Sequence, residues 1–126
     1  MDLTECQRFL PDEVAEQDWT GRERCGFVRE DADGFCWFYE VPNEAKGEGD
    51  FFEISAEVYY EFVMAPGFLL GVWHSHPGGK PYPSSMDWEW HPDPKLLLFI
   101  VADGVARCYF DKKEVGLPWE HANSTT

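Results

Sequence analysis

Two histidines and an aspartate stand close together in this chain: His74-Ser75-His76-Pro77 is followed, after six residues, by Ser84-Ser85-Met86-Asp87. Imidazole nitrogens and carboxylate oxygens are ligands that zinc takes. Three of them leave a fourth tetrahedral position for water, which separates a catalytic zinc site from a structural one. A His-x-His pair alone is most simply two partly exposed histidines at a strand end. Pro77, Ser84 and Asp87 at their fixed offsets are what make the stretch informative.

The neighbouring elements must bring these side chains together. Residues 68–73, Phe-Leu-Leu-Gly-Val-Trp, form a short apolar run of the kind that makes a buried strand, turning polar at His74. Positions i and i+2 of an extended segment face the same way, so His74 and His76 can reach one ion. Gly78-Gly79-Lys80-Pro81-Tyr82-Pro83 reads as a turn that returns the chain on itself. Ser84 is then placed to cap a short helix over 85–90, with Asp87 in its first turn.

With the upstream segment Glu23-Arg24-Cys25-Gly26-Phe27-Val28, this pattern resembles the JAMM (MPN+, JAB) zinc metalloprotease signature. The resemblance implies one zinc ion (Zn²⁺) bound by His74, His76 and Asp87. It also implies Glu23 as general acid/base and Ser84 as hydrogen-bond donor to the reacting centre. Zinc acidifies water and polarises a carbonyl, while a nearby carboxylate moves the proton from water to the leaving amine. On its own, Glu23 reads as a solvated charge in the polar loop 21–24.

A narrower similarity runs over residues 20–110. Phe51-Phe52-Glu53-Ile54-Ser55, a helix, and the run from Gly67 into His-Ser-His-Pro-Gly-Gly resemble the amino-terminal domain of lambda-like phage tail-tip assembly proteins. Those proteins continue into a cysteine-peptidase domain, for which 126 residues leave no room. The resemblance implies a peptidase or isopeptidase of a phage or prophage tail module, with a tail protein or peptide as substrate. Three other readings stay open: a bacterial peptidase that trims or deconjugates a ubiquitin-like or sulfur-carrier protein, a non-enzymatic zinc-containing tail-tip subunit, and a RadC-like DNA-associated protein. Only about seven residues separate Asp87 from the next strand, which argues against a dedicated ubiquitin-gripping insertion.

Length and composition fit a single domain over 1–126 with its core at about 20–112 and a polar, frayed tail at 116–126. Twenty-one aromatic residues, six of them Trp, supply large core side chains. The pattern predicts a short helix near 12–18, strands at 25–30, 35–41 and 51–54, and a Ser55-capped helix at 55–64. After the histidine strand and the short helix come strands at 96–102 and 105–110, joined by an Asp103-Gly104 turn. Leu96 to Val101 is apolar throughout and reads as a central strand buried on both faces. The order indicates an α+β (α/β-like) class with a mixed central sheet flanked by helices.

A net charge of −14 repels phosphate backbones, so no nucleic-acid partner is expected. The acids cluster at 12–18, 29–33 and 40–53, most simply as solvated faces. No apolar run is long enough to span a bilayer and no signal peptide is recognisable, so the expected location is the bacterial cytoplasm, or the virion tail if the protein is phage-encoded. Cys25, Cys36 and Cys108 then read as small buried strand residues, although Cys25 with His74 also allows a thiol peptidase. His91 and His121 are spare imidazoles, His91 near enough to Asp87 in sequence to contact substrate or metal.

Overall fold

The computed structural model describes residues 5–14, 16–19, 21–45, 52–89, 91–102 and 104–119. Its strands, in chain order, are β1 (Arg8–Phe9), β2 (Cys25–Glu30), β3 (Cys36–Val41), β4 (Phe68–Ser75), β5 (Leu97–Ala102), β6 (Val105–Phe110) and β7 (Lys113–Val115). The helices are α1 (Pro11–Val14), α2 (Ala56–Met64) and α3 (Ser85–Glu89). The strands form one sheet in the order β1-β3-β2-β4-β5-β6-β7. β4 and β5 pair in parallel; the other neighbours are antiparallel. The fold is α+β with a mixed sheet, as the sequence pattern indicates.

Alternation along β5 shows how the sheet buries both faces. Leu98 and Ile100 enter one core with Phe27, Tyr39, Val72, and Val58 and Phe62 of α2. Phe99 and Val101 enter a second core with Phe9, Val14, Trp19, Phe38 and Trp73. A strand covered on both sides has no polar face to show, which is why the sequence at 96–101 is apolar throughout. α2 starts where Ser55 accepts a hydrogen bond from the Val58 amide at 3.2 Å. Phe62 stacks on Phe27 with ring centroids 4.3 Å apart.

Several elements differ from the sequence expectation. The helix near 12–18 is one turn, Pro11–Val14, because its apolar face holds a single buried residue, Val14. Phe52–Ile54 is not a strand: among the described residues one backbone hydrogen bond, from Glu44 N to Glu53 O, joins it to the chain at 44, too few for a ladder. Phe51 lies outside the described residues. The histidine strand, by contrast, runs into the histidines as expected, through Ser75, so His74 is a strand residue. β1 and β7 are additional two- and three-residue edge strands. Beyond Gly116 the chain is not frayed as far as it is described: Leu117 and Trp119 pack on the second core, and Trp119 stacks on Phe99 at 5.8 Å. Residues 120–126 lie outside the described residues.

Candidate metal centre

The centre forms where β4 ends. His74 pairs in register with Cys25 of β2 and, in parallel, with Ile100 of β5, so strands on both sides fix its backbone. The next residues keep the extended path: the His76 amide donates to Val101 O at 2.9 Å. The two imidazoles therefore share a face, as period two requires. The chain then turns at Pro77-Gly78, where the Gly79 amide donates to His76 O at 2.9 Å and Gly78 adopts φ 65°. Pro followed by a positive-φ glycine is the composition of a type II turn.

Three contacts pin the returning loop. His76 Nδ1 lies 2.9 Å from Lys80 O, the Tyr109 hydroxyl donates to Pro81 O, and the Arg107 guanidinium sits over the Tyr82 ring at 5.5 Å. Ser84 and Asp87 then make a reciprocal cap: the Ser84 amide donates to Asp87 Oδ2 at 2.7 Å, and the Asp87 amide donates to Ser84 Oγ at 3.2 Å. The Ser-x-x-Asp spacing is thus that of a capping box, and it aims the Asp87 carboxylate at the histidines.

Four side chains converge. His74 Nε2 is 3.1 Å from Asp87 Oδ1 and 3.1 Å from His76 Nε2, and His76 Nε2 is 3.2 Å from Asp87 Oδ2. Donor atoms about 2.0 Å from a tetrahedral zinc lie roughly 3.3 Å from one another, and these contacts between the two histidine nitrogens and the two oxygens of one carboxylate are of that length. The Glu23 carboxylate joins it, Oε1 being 3.7 Å from His74 Nε2. Glu23, His74 and His76 offer ligand atoms within 4.8 Å of one another. A carbonyl only accepts, so His76 Nδ1 carries the hydrogen toward Lys80 O and leaves Nε2 to face the centre. Lone-pair atoms this close repel unless a proton or a metal cation lies among them. The residues fit a bound zinc ion.

Burial and the Asp87 carboxylate shift the two imidazoles in opposite directions. His74 is fully buried, and that burial holds its pKa below the ordinary histidine value, keeping the ring neutral. For His76 the hydrogen bond with Asp87 outweighs partial burial and raises the pKa. Burial alone would raise the Asp87 carboxyl, but hydrogen bonds from both imidazoles hold it well below the usual carboxylate range. The Phe52 ring stacks on His74 at 4.5 Å and covers the centre from one side.

The spare candidates fall outside this group. His91 Nε2 lies 2.7 Å from Leu96 O, and its ring meets Trp88 edge-on at 5.8 Å, so it is not among the converging atoms. His121 lies outside the described residues. Cys25 is fully buried beside His74, and burial pushes its thiol up to about 12, which leaves no thiolate to attack a carbonyl. Asn43 and Phe52 belong to the surroundings of the centre, yet neither carries a spacing signal in the sequence. The Val-Pro-Asn end of β3 marks only a turn.

No curated protein matches the chain. The family model for prokaryotic homologues of the JAB domain matches residues 13–113, which takes in Glu23, His74, His76, Ser84 and Asp87. By that match over most of its length, the chain belongs to the prokaryotic JAB-domain family.

Proposed function

We propose that this protein is a zinc-dependent JAMM peptidase that hydrolyses a peptide or isopeptide bond. The observation that carries the reading is the convergence of the His74 and His76 Nε2 atoms and the two Asp87 carboxylate oxygens through contacts of 3.1–3.2 Å, with the Glu23 carboxylate beside them. His74, His76 and Asp87 would hold the ion. Bound zinc supplies an acidified water near neutral pH and polarises the scissile carbonyl. Glu23, 4% exposed, takes the proton from water and returns it to the departing amine. The Ser84 hydroxyl accepts from the Asp87 amide through its oxygen and keeps its own hydrogen to donate to the developing oxyanion.

The resemblance of residues 20–110 to tail-tip assembly proteins favours a phage or prophage tail protein as substrate, cut in the bacterial cytoplasm during assembly. The short connection from α3 to β5, residues 90–96, fits an open cleft better than a ubiquitin-gripping insertion. The test is zinc stoichiometry of the purified protein together with cleavage of tail-protein and ubiquitin-like Gly-Gly fusions, wild type against Glu23→Gln. The variant is expected to keep one zinc per chain and to lose cleavage by at least about 100-fold. Equal cleavage by both proteins rejects the mechanism, zinc without any cleavage favours a structural tail-tip subunit, and absence of metal affinity rejects the site.

A further inference from the structure

Glu23 lies two residues before β2, where the sheet ladder has already ended on one side. The register Cys25↔Val41 between β2 and β3, continued by one residue, sets Arg24 opposite Pro42; continued by two, it sets Glu23 opposite Asn43. Pro42 has no amide hydrogen, so β3 cannot carry its ladder past Val41. The β2–β3 ladder therefore does not hold the peptide that follows Glu23.

Two side chains replace the missing ladder. Asn43 Nδ2 donates to Glu23 O at 2.9 Å, and Ser75 Oγ accepts from the Arg24 amide at 2.8 Å. These are the two polar atoms of one peptide unit, the bond between Glu23 and Arg24. Each partner is itself fixed. Asn43 Oδ1 accepts from the Ala45 and Glu53 amides, both at 3.0 Å, which determines which end of the side-chain amide faces Glu23. Ser75 is fully buried in β4 and donates its own amide to Arg24 O at 2.8 Å. The Arg24 side chain is anchored too, by a two-point contact with Glu40 at 2.8 and 2.6 Å and by its position over Trp19 at 4.4 Å.

Ser75 stands between the two imidazoles, but alternation turns its side chain to the opposite face of the strand, away from the ion position. Its hydroxyl is spent on the Glu23–Arg24 peptide. Asn43 also ties Glu53 to this assembly, and the neighbouring Phe52 is the ring stacked on His74.

We infer that Asn43 and Ser75 are positioning residues that lock the Glu23–Arg24 peptide plane and so aim the Glu23 carboxylate at the metal centre. The inference rests on the reading of Glu23 as the proton-transferring group. Three variants test it. Ser75→Ala removes the acceptor for the Arg24 amide, and Ser75→Thr keeps it. Asn43→Asp keeps the acceptor for Ala45 and Glu53 but turns an oxygen toward Glu23 O.

The readouts on the zinc-loaded, isotope-labelled protein are zinc stoichiometry, Arg24 amide exchange, and nuclear Overhauser contacts between the Glu23 side chain and the His74 ring. Turnover of whichever fusion the wild type cleaves is measured alongside. Zinc content is expected to stay at the wild-type level in all three. In Ser75→Ala the Arg24 amide should exchange roughly five-fold faster, and in Ser75→Ala and Asn43→Asp the Glu23–His74 contacts should weaken. In those two variants kcat should fall roughly 10- to 100-fold with KM little changed, and Ser75→Thr should recover most of it. Variants that melt earlier but keep the Glu23–His74 contacts and the wild-type kcat overturn the inference, as does loss of zinc in parallel with activity. Should Glu23→Gln cleave like wild type, the proposed function fails, while the contacts and the amide exchange still decide whether these side chains position Glu23.

Discussion

Asp87 shows how much one side chain does here: it closes the reciprocal cap of α3 with Ser84 while facing both imidazoles. Because the same three-residue offset serves both purposes, the histidines, Ser84 and Asp87 could be read from a short stretch of sequence. Their spacing is local, set by one strand, one turn and one cap, even though β2 and β5 fix the His74 backbone. Glu23 was legible only through the family resemblance, since nothing in the loop 21–24 marks it as buried. Asn43 and Ser75 act through hydrogen bonds to a peptide far away in the chain, which spacing does not reveal. Cysteine chemistry gives a prediction at this scale. Burial raises the thiols of Cys25 and Cys108 to about 12, whereas Cys6 is partly exposed. Iodoacetamide on the native protein should label Cys6 first and leave cleavage intact. Mass spectrometry showing Cys25 modified at the same rate, with loss of activity, would restore the thiol-peptidase reading.

β3 and β4 are tied to each other across β2 by a feature that looks minor in the sequence. The Trp73 indole donates to Tyr39 O at 3.0 Å by crossing the position of Gly26, where a Cβ would lie 1.7 Å from that carbonyl and 2.7 Å from the indole nitrogen. A main-chain oxygen cannot step aside as a flexible side chain can. Gly26→Ala should therefore cost about 3 kcal/mol or more, read as a lower urea midpoint, and should disturb the β2–β4 register that sets Glu23 beside His74. A midpoint equal to wild type would show that the strands part easily at this point. Elements with strong period or strong caps were legible: β2, β3, β5, β6 and the Ser55-capped α2 stand within a residue or so of their expected positions. β1 and β7 were not, because two or three residues at a sheet edge carry no periodicity to read. The segment 52–54 has strand-like residues in Phe52 and Ile54 but spends them on separate contacts, Phe52 on His74 and both on the first core.

Across the whole molecule the net charge is −14, and among its acids Asp31 has a structural use. Its carboxylate accepts from the Phe35 and Asp33 amides and from the Trp37 indole, all at 3.0 Å, closing the turn between β2 and β3. The Phe35 and Trp37 bonds lower its pKa below the ordinary aspartate value. A depressed folded pKa stabilises the native state above the unfolded pKa, near 3.9, and the contribution fades as pH falls through the folded value. Asp31→Asn should thus lower the urea midpoint at pH 7, with the gap to wild type narrowing below about pH 4; a gap independent of pH would show that charge plays no part. The union of β2 with β4 also has a kinetic side. The proposed ion ligands span residues 74–87, whereas Glu23 is 51 residues upstream of His74. Loop closure and long-range strand pairing set the slow steps of folding. The ion-holding segment is short enough to organise early, and the carboxylate must wait for the distant strand to dock. During refolding, zinc uptake should precede protection of the Arg24 amide in pulse-labelled hydrogen exchange, and simultaneous appearance of the two would show that the halves form as one unit.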